Sequence, residues 1–125
     1  MHAGQLTRIA TDFLRKCCDG RVAEAYVQHV AAGFRHHDAW FRGDAAALRE
    51  RMAQNAAQFP GKSLRVVRTV EDGLDVAVFS HVHHVPGDRG FAVAHFFRFE
   101  GERIAELWDI AQEVPERVVN ENGMF

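Results

Sequence analysis

The sequence predicts an α+β domain: three N-terminal helices followed by a four-strand antiparallel meander. Two patterns predict it. Apolar residues recur at helical spacing through the first half of the chain and alternate through the second. Size agrees, since 125 residues with 47% hydrophobic and 26% charged side chains suit one packed globule. A chain this long buries roughly two-thirds of its unfolded surface, enough for a core without metals or disulfides.

Leu6, Ile9, Ala10, Phe13, Leu14 and Cys17 form one apolar stripe, predicting a helix over 5–18 that Gly20 stops. A shorter helix follows through Val22, Tyr26 and Val30, with Gly33 as its terminus. Residues 34–43 keep neither period and read as a loop or short strand. Asp44 is placed to cap a third helix whose stripe is Leu48, Met52, Ala56 and Phe59, ended by Pro60-Gly61. The period then changes. Leu64, Val66 and Val70 alternate, and Glu71-Asp72-Gly73-Leu74 marks a hairpin. Further strands are expected over 74–85, 91–100 and 103–112, separated by Pro86–Gly90 and by Gly101-Glu102. Pro115 ends the sheet and leaves a polar tail.

Composition excludes several function classes. Fifteen basic and 17 acidic residues give a net charge of −2, which argues against a basic nucleic-acid-binding face. No apolar run approaches the ~20 residues of a membrane span, and Met1–Gly4 does not open a signal peptide. Cys17 and Cys18 are adjacent and form no disulfide framework, so a reducing cytoplasm is expected. Ten Phe against one Tyr suit a core or an apolar pocket; eight His suggest proton chemistry, metal binding or pH sensing.

Strand alternation indicates which polar residues share a face. Ala77, Phe79, His81 and His83 point one way, away from Leu74, Val76, Val78 and Val82. A five-residue loop at Pro86–Gly90 sets His81 opposite His95, with Phe91, Val93, Phe97 and Phe99 on that wall. A three-residue last turn with a bulge sets His95 opposite Asp109 and brings in Ala105 and Leu107. A two-residue last turn instead turns Asp109 outward and Trp108 inward, and the sequence leaves both open. Both faces of the sheet are apolar, so two covers are needed. Helices supply one; a second subunit packed sheet to sheet is expected to supply the other.

A carboxylate among Phe and Leu side chains is desolvated, which raises its pKa; a neighbouring imidazolium opposes the rise. Such opposition tunes a general acid/base near neutrality. His81-Val82-His83 with His95 and Asp109 has the donors for zinc, but His-x-His in a strand is a weak signal and no metal is assigned. Among the remaining His, His37 is expected inside and His36 in solvent, while His2 and His29 are expected on the surface. Arg98 is expected to pair with Glu106, and no nucleophile elbow or phosphate-cradling loop appears.

The stretches His36–Asp44, Ala92–Phe99, Ile104–Gln112 and Asn120–Phe125 resemble SnoaL-like polyketide cyclases of the nuclear transport factor 2-like superfamily. The similarity runs from about Phe13 to the C-terminus. It implies a cone: a strongly curved antiparallel sheet around a deep pocket, cystatin-like in outline, with helices at the mouth. It also implies an Asp on the last strand as the acid/base of an aldol ring closure, matched here by Asp109, with His37 and His95 as nearby polar groups. The chain departs from the family in having Asp38-Ala39 where Asn-Pro is usual, and Phe79 where His is common.

The expected function is therefore a cofactor-independent small-molecule enzyme acting on an apolar carbonyl compound by proton transfer. Asp109 and His95 are the candidate catalytic residues. His37, His81, Trp40, Phe79, Phe97 and Leu107 are the candidate substrate contacts. The alternative is a non-catalytic dimeric pocket protein that holds an apolar ligand.

Overall fold

The computed structural model describes residues 4–125, so the expectation for His2 lies outside the described residues. Helix α1 (Gln5–Cys18) buries Leu6, Ala10, Phe13, Leu14 and Cys17, the predicted stripe less Ile9, which stays partly exposed. It stops at Gly20, whose φ of 89° is a left-handed turn that glycine adopts without a Cβ penalty. Helix α2 (Val22–His29) is shorter than predicted. From Val30 the backbone extends into β1 (Val30–His36), where Phe34 and His36 turn inward at strand spacing. Helix α3 (Ala45–Gln58) starts after Asp44, which occupies the cap position without a side-chain cap bond.

Four strands complete the chain: β2 (Ser63–Asp72), β3 (Asp75–His83), β4 (Phe91–Glu100) and β5 (Arg103–Glu113). The sheet has five strands in the order β1-β5-β4-β3-β2, not four, because β1 joins its edge parallel to β5. That pairing joins segments about 70 residues apart and leaves no local trace in sequence. Register irregularities between Val66 and Arg68 and between Arg98 and Phe99 curve the sheet. The concave face packs on the helices. Phe13 meets Phe97 edge-on at 6.2 Å and Tyr26 at 5.4 Å, with Phe99, Ile104 and Leu107 fully buried beside them.

Two registers decide which residues face inward. At the β4–β5 turn Glu100 pairs with Arg103 across Gly101-Glu102, a two-residue turn. The extra residue sits further along, at Ala105 opposite the Arg98–Phe99 step, and restores the pairing of His95 with Asp109. Asp109 therefore faces inward with His95, and Trp108 outward. At the β3–β4 turn the expected register is overturned. Asp88 Oδ2 accepts the amides of His84 (3.0 Å) and Val85 (3.2 Å), which ends β3 at His83. Val82, not Val85, then pairs with Phe91, and His95 lies opposite Val78, not His81. An odd shift in register reverses a face. Phe79, His81 and His83 consequently lie on the convex side.

Candidate active site

Between α1, α3 and the concave face lies a cavity of about 300 Å³. Leu14, Leu48, Leu64, Val82, Phe91 and Val93 make its lining mainly apolar. Its polar groups are few: Asp38, Arg51, Asn55, Lys62, His84, His95 and Asp109. A few converging polar groups in an apolar cleft are the usual composition of a small-molecule site.

Asp109 Oδ1 lies 3.8 Å from His95 Nε2, within electrostatic range but beyond a hydrogen bond. Burial pushes the Asp109 carboxyl up to about 6, and the Asp38 charge and a hydrogen bond with Asp38 push the same way. Lys62 and His36 oppose this more weakly. His95, only 7% exposed, goes the other way: burial, helped by the Lys62 charge, lowers its ring to about 4. His95 is thus neutral where Asp109 titrates, and its buried Nδ1 has no partner among the described residues. The β4–β5 bulge holds this pair on one wall.

Asp38 reaches the site through the loop after β1. The Asp38 amide donates to His36 Nδ1 at 3.1 Å, so Nε2 carries the ring proton of His36 and donates it to the carbonyl of Arg42. Asp38 Oδ1 accepts the Trp40 amide at 3.0 Å, which fixes the carboxyl. His36 is buried and stacks on Phe34, so it is the inner member of the His36-His37 pair. His29, expected on the surface, is buried with Nε2 2.6 Å from Asp12 Oδ2.

Of the eight candidate residues, the structure brings Asp109 and His95 together on the cavity wall. Phe97 and Leu107 point to the same side but are sealed in the core behind it. The other four stand elsewhere. His37 stacks on Trp108 at 4.8 Å and bonds Glu106 on the convex face. His81 stacks on Phe125 at 4.0 Å, and Phe79 lies 5.6 Å from the same ring. Trp40 is 85% exposed in a turn. Arg98 does pair with Glu106, Nε to Oε1 at 3.0 Å, as expected. Asp38, Asn55, Lys62 and His84 escaped the sequence reading. Asn55 follows Leu48 and Met52 at helical spacing, a polar break in an apolar stripe that points to a cavity. His84 follows Val82 at strand spacing and so lies on the cavity side, opposite to His81 and His83. Among the described residues, no group of three or more His, Cys, Asp or Glu is arranged to hold a metal ion.

A curved sheet closed by helices around a cavity with an inward carboxyl on the last strand narrows the relationships. The sequence matches the SnoaL-like domain over residues 10–107. The chain belongs to the SnoaL-like family. Solved structures share its fold. A candidate polyketide cyclase from Acidithiobacillus ferrooxidans is 22% identical with a TM-score of 0.69, covering 89% of this chain and 90% of that one. AclR, a candidate hydroxylase from Streptomyces galilaeus, is 15% identical with a TM-score of 0.75, over 91% and 83%. A candidate isomerase of the SnoaL-like family from Agrobacterium tumefaciens is 16% identical with a TM-score of 0.70, over 86% and 97%. At such identities these likenesses show the fold alone, and the three proteins are described as candidates for three different activities. No curated protein matches the chain in sequence. Among the described residues no helix is long and apolar enough to cross a membrane.

Proposed function

We propose that this SnoaL-like protein is a cofactor-independent acid–base enzyme for small, mostly apolar carbonyl compounds. The observation that carries the reading is the place of Asp109: a carboxyl on the wall of an apolar cavity, 3.8 Å from a buried His95, where burial and Asp38 push it up to about 6. A base is most effective when its pKa lies near the working pH, and burial together with Asp38 raises Asp109 to that range. Ionised Asp109 removes a proton from the carbon next to the carbonyl and returns it at the end of an isomerisation or aldol-type closure. Neutral His95 beside it cannot form a permanent ion pair, so the carboxylate keeps its basicity. A cavity of about 300 Å³ suits a compound of one or two small rings.

Deuterium exchange next to the carbonyl, followed by NMR over a panel of small cyclic ketones, tests this. Wild-type protein should accelerate exchange, with a rate that rises through about pH 6 as Asp109 ionises. Asp109→Asn should lower it by about 10²–10⁴-fold while the fold persists. Exchange at wild-type rate in that variant would remove Asp109 from the reaction. A ligand that binds tightly to both proteins and exchanges in neither favours a binding role, which the apolar lining also accommodates.

The convex face supports an assembly proposal as well. Val70, Phe96 and Ile110 are 58%, 47% and 63% exposed there, around Ala77 and Trp108. We infer a homodimer packed through this side of the sheet.

A further inference from the structure

Removing a proton next to a carbonyl leaves negative charge on the oxygen; Asp109 cannot answer that charge, and a neutral His95 offers one N–H donor but no positive charge. Lys62 stands just before β2, half-buried, with its side chain on the cavity. Its Nζ donates to Asn55 Oδ1 from α3. Among the described residues no carboxylate lies within ion-pair distance of it, unlike Lys16, which pairs with Asp12 at 3.0 Å. An ammonium has three N–H donors. Asn55 takes one, leaving two in a mainly apolar cavity.

The surroundings fit an anion-receiving role. Asp38 and Asp109 are the cavity's acidic groups, His84 and His95 are its imidazoles, and Arg51 is its other cation. Arg51 lies over the Phe41 ring at 5.7 Å and is exposed, at the solvent edge. Burial lowers both the Lys62 ammonium and the His84 ring, and the Lys62 charge reaches His84, His95 and Asp109. Lys62 is therefore the cation central to the cavity, held by a neutral partner.

We propose that Lys62, oriented by Asn55, binds the substrate oxygen that becomes anionic, so that the preferred substrates are carbonyl compounds with a stabilised enolate or phenolate form. This rests on the acid–base reading of Asp109. The Asp109 carboxylate takes the proton from carbon; the C–H electron pair becomes the new C=C bond; the carbonyl π pair moves onto oxygen. Two N–H bonds of Lys62 are available to that oxygen, and no proton need leave the nitrogen. Preorganised donors aimed at developing charge in a water-poor site are among the largest contributions to catalysis.

The probe is 4-nitrophenol, whose phenolate absorbs separately from the phenol and mimics an enolate oxygen on a ring. Wild-type protein should bind it as the phenolate and shift its ionisation to lower pH. Lys62→Gln should weaken phenolate binding by about 10–100-fold, as expected for loss of one charge-assisted bond. Asp109→Asn should bind it as well or better, because a neighbouring negative charge is gone. Lys62→Met is the second variant and should lose phenolate binding too; a melting temperature unchanged or raised in both variants, as removal of a desolvated ammonium predicts, excludes misfolding as the cause. Lys62→Gln should also move the exchange-rate midpoint to higher pH, since Lys62 lowers the Asp109 carboxyl. Failure of wild-type protein to bind the phenolate, equal binding in Lys62→Gln, or loss in Arg51→Gln instead would each overturn the proposal. Exchange retained in Asp109→Asn with phenolate binding lost in Lys62→Gln would overturn the base alone.

Discussion

Asp109 and His95 face each other across 3.8 Å and pull stability in opposite directions with pH. The folded Asp109 carboxyl sits near 6 against an ordinary 3.8, so the folded chain binds its proton more tightly. Its contribution is fully present below about 3.8 and lost as pH rises through 6. His95 sits near 4 against an ordinary 6.5, so the unfolded chain takes that proton first. Its contribution is present above 6.5 and lost as pH falls through 4. Across pH 4–6 the two largely offset. Asp109→Asn should uncover the histidine: about 1–3 kcal/mol more stable than wild type at pH 7, with an advantage that shrinks as the pH is lowered toward 4. Urea melts at pH 7 and 4.5 check this, and an equal advantage at both pH values would contradict it. A stabilised but inactive variant is the usual signature of a site that holds a charge against desolvation.

At the scale of elements, the connection from β3 to β4 decides the site. Asp88 ends one strand early, and Gly90 begins the next at φ 72°. A Cβ on Gly90 would lie 2.3 Å from the Val82 carbonyl oxygen, so both the dihedral and the close approach require glycine. Gly90→Ala should cost more than ~2 kcal/mol and lower the urea midpoint, because backbone must move to admit the methyl. A change below 0.5 kcal/mol would show that the loop is softer than its geometry. The other decisive element is the β1–β5 edge. Glu106 on β5 accepts Arg35 Nε at 3.0 Å and Arg98 Nε at 3.0 Å, and also bonds His37. Those hydrogen bonds, Arg35 first, hold its carboxyl down to about 2, so the clamp acts above the ordinary carboxylate range and loosens as pH falls toward 2.

For the molecule as a whole, the convex face is where the proposed dimer would form. The C-terminal Phe125 covers part of it, stacked on His81 with the Arg65 guanidinium 5.9 Å from the ring. The adjoining surface around Phe96, Trp108 and Ile110 stays exposed, and apolar surface of this kind marks association. Ile110→Glu should give a monomer by sedimentation velocity, because a carboxylate would be buried unpaired in the interface. Wild-type protein that sediments as a monomer at micromolar concentration would refute the sheet-to-sheet dimer. Asp109 faces the cavity and Ile110 the opposite side, so this variant should leave the exchange chemistry of an intact protomer measurable.

The order of helices and meander strands, the stripe of α1, and the ends of α1 and α3 were legible in the sequence alone. Those depend on periodicity and glycine or proline punctuation, which act over a few residues. The alternation also made Asp109 and His95 neighbours once an extra residue was allowed in the last hairpin. Tertiary structure alone decided where that residue went, at Ala105, and so fixed Asp109 inward. It decided that β1 is a strand, since a parallel partner lies far along the chain. It moved Phe79 and His81 to the convex face because one carboxylate, Asp88, captured two amides and changed the register by an odd number. Lys62, Asn55 and Asp38 come from three separate segments and converge only when the sheet curves. Strand registers set by side-chain capture and sites built across distant segments depend on geometry that no local pattern encodes.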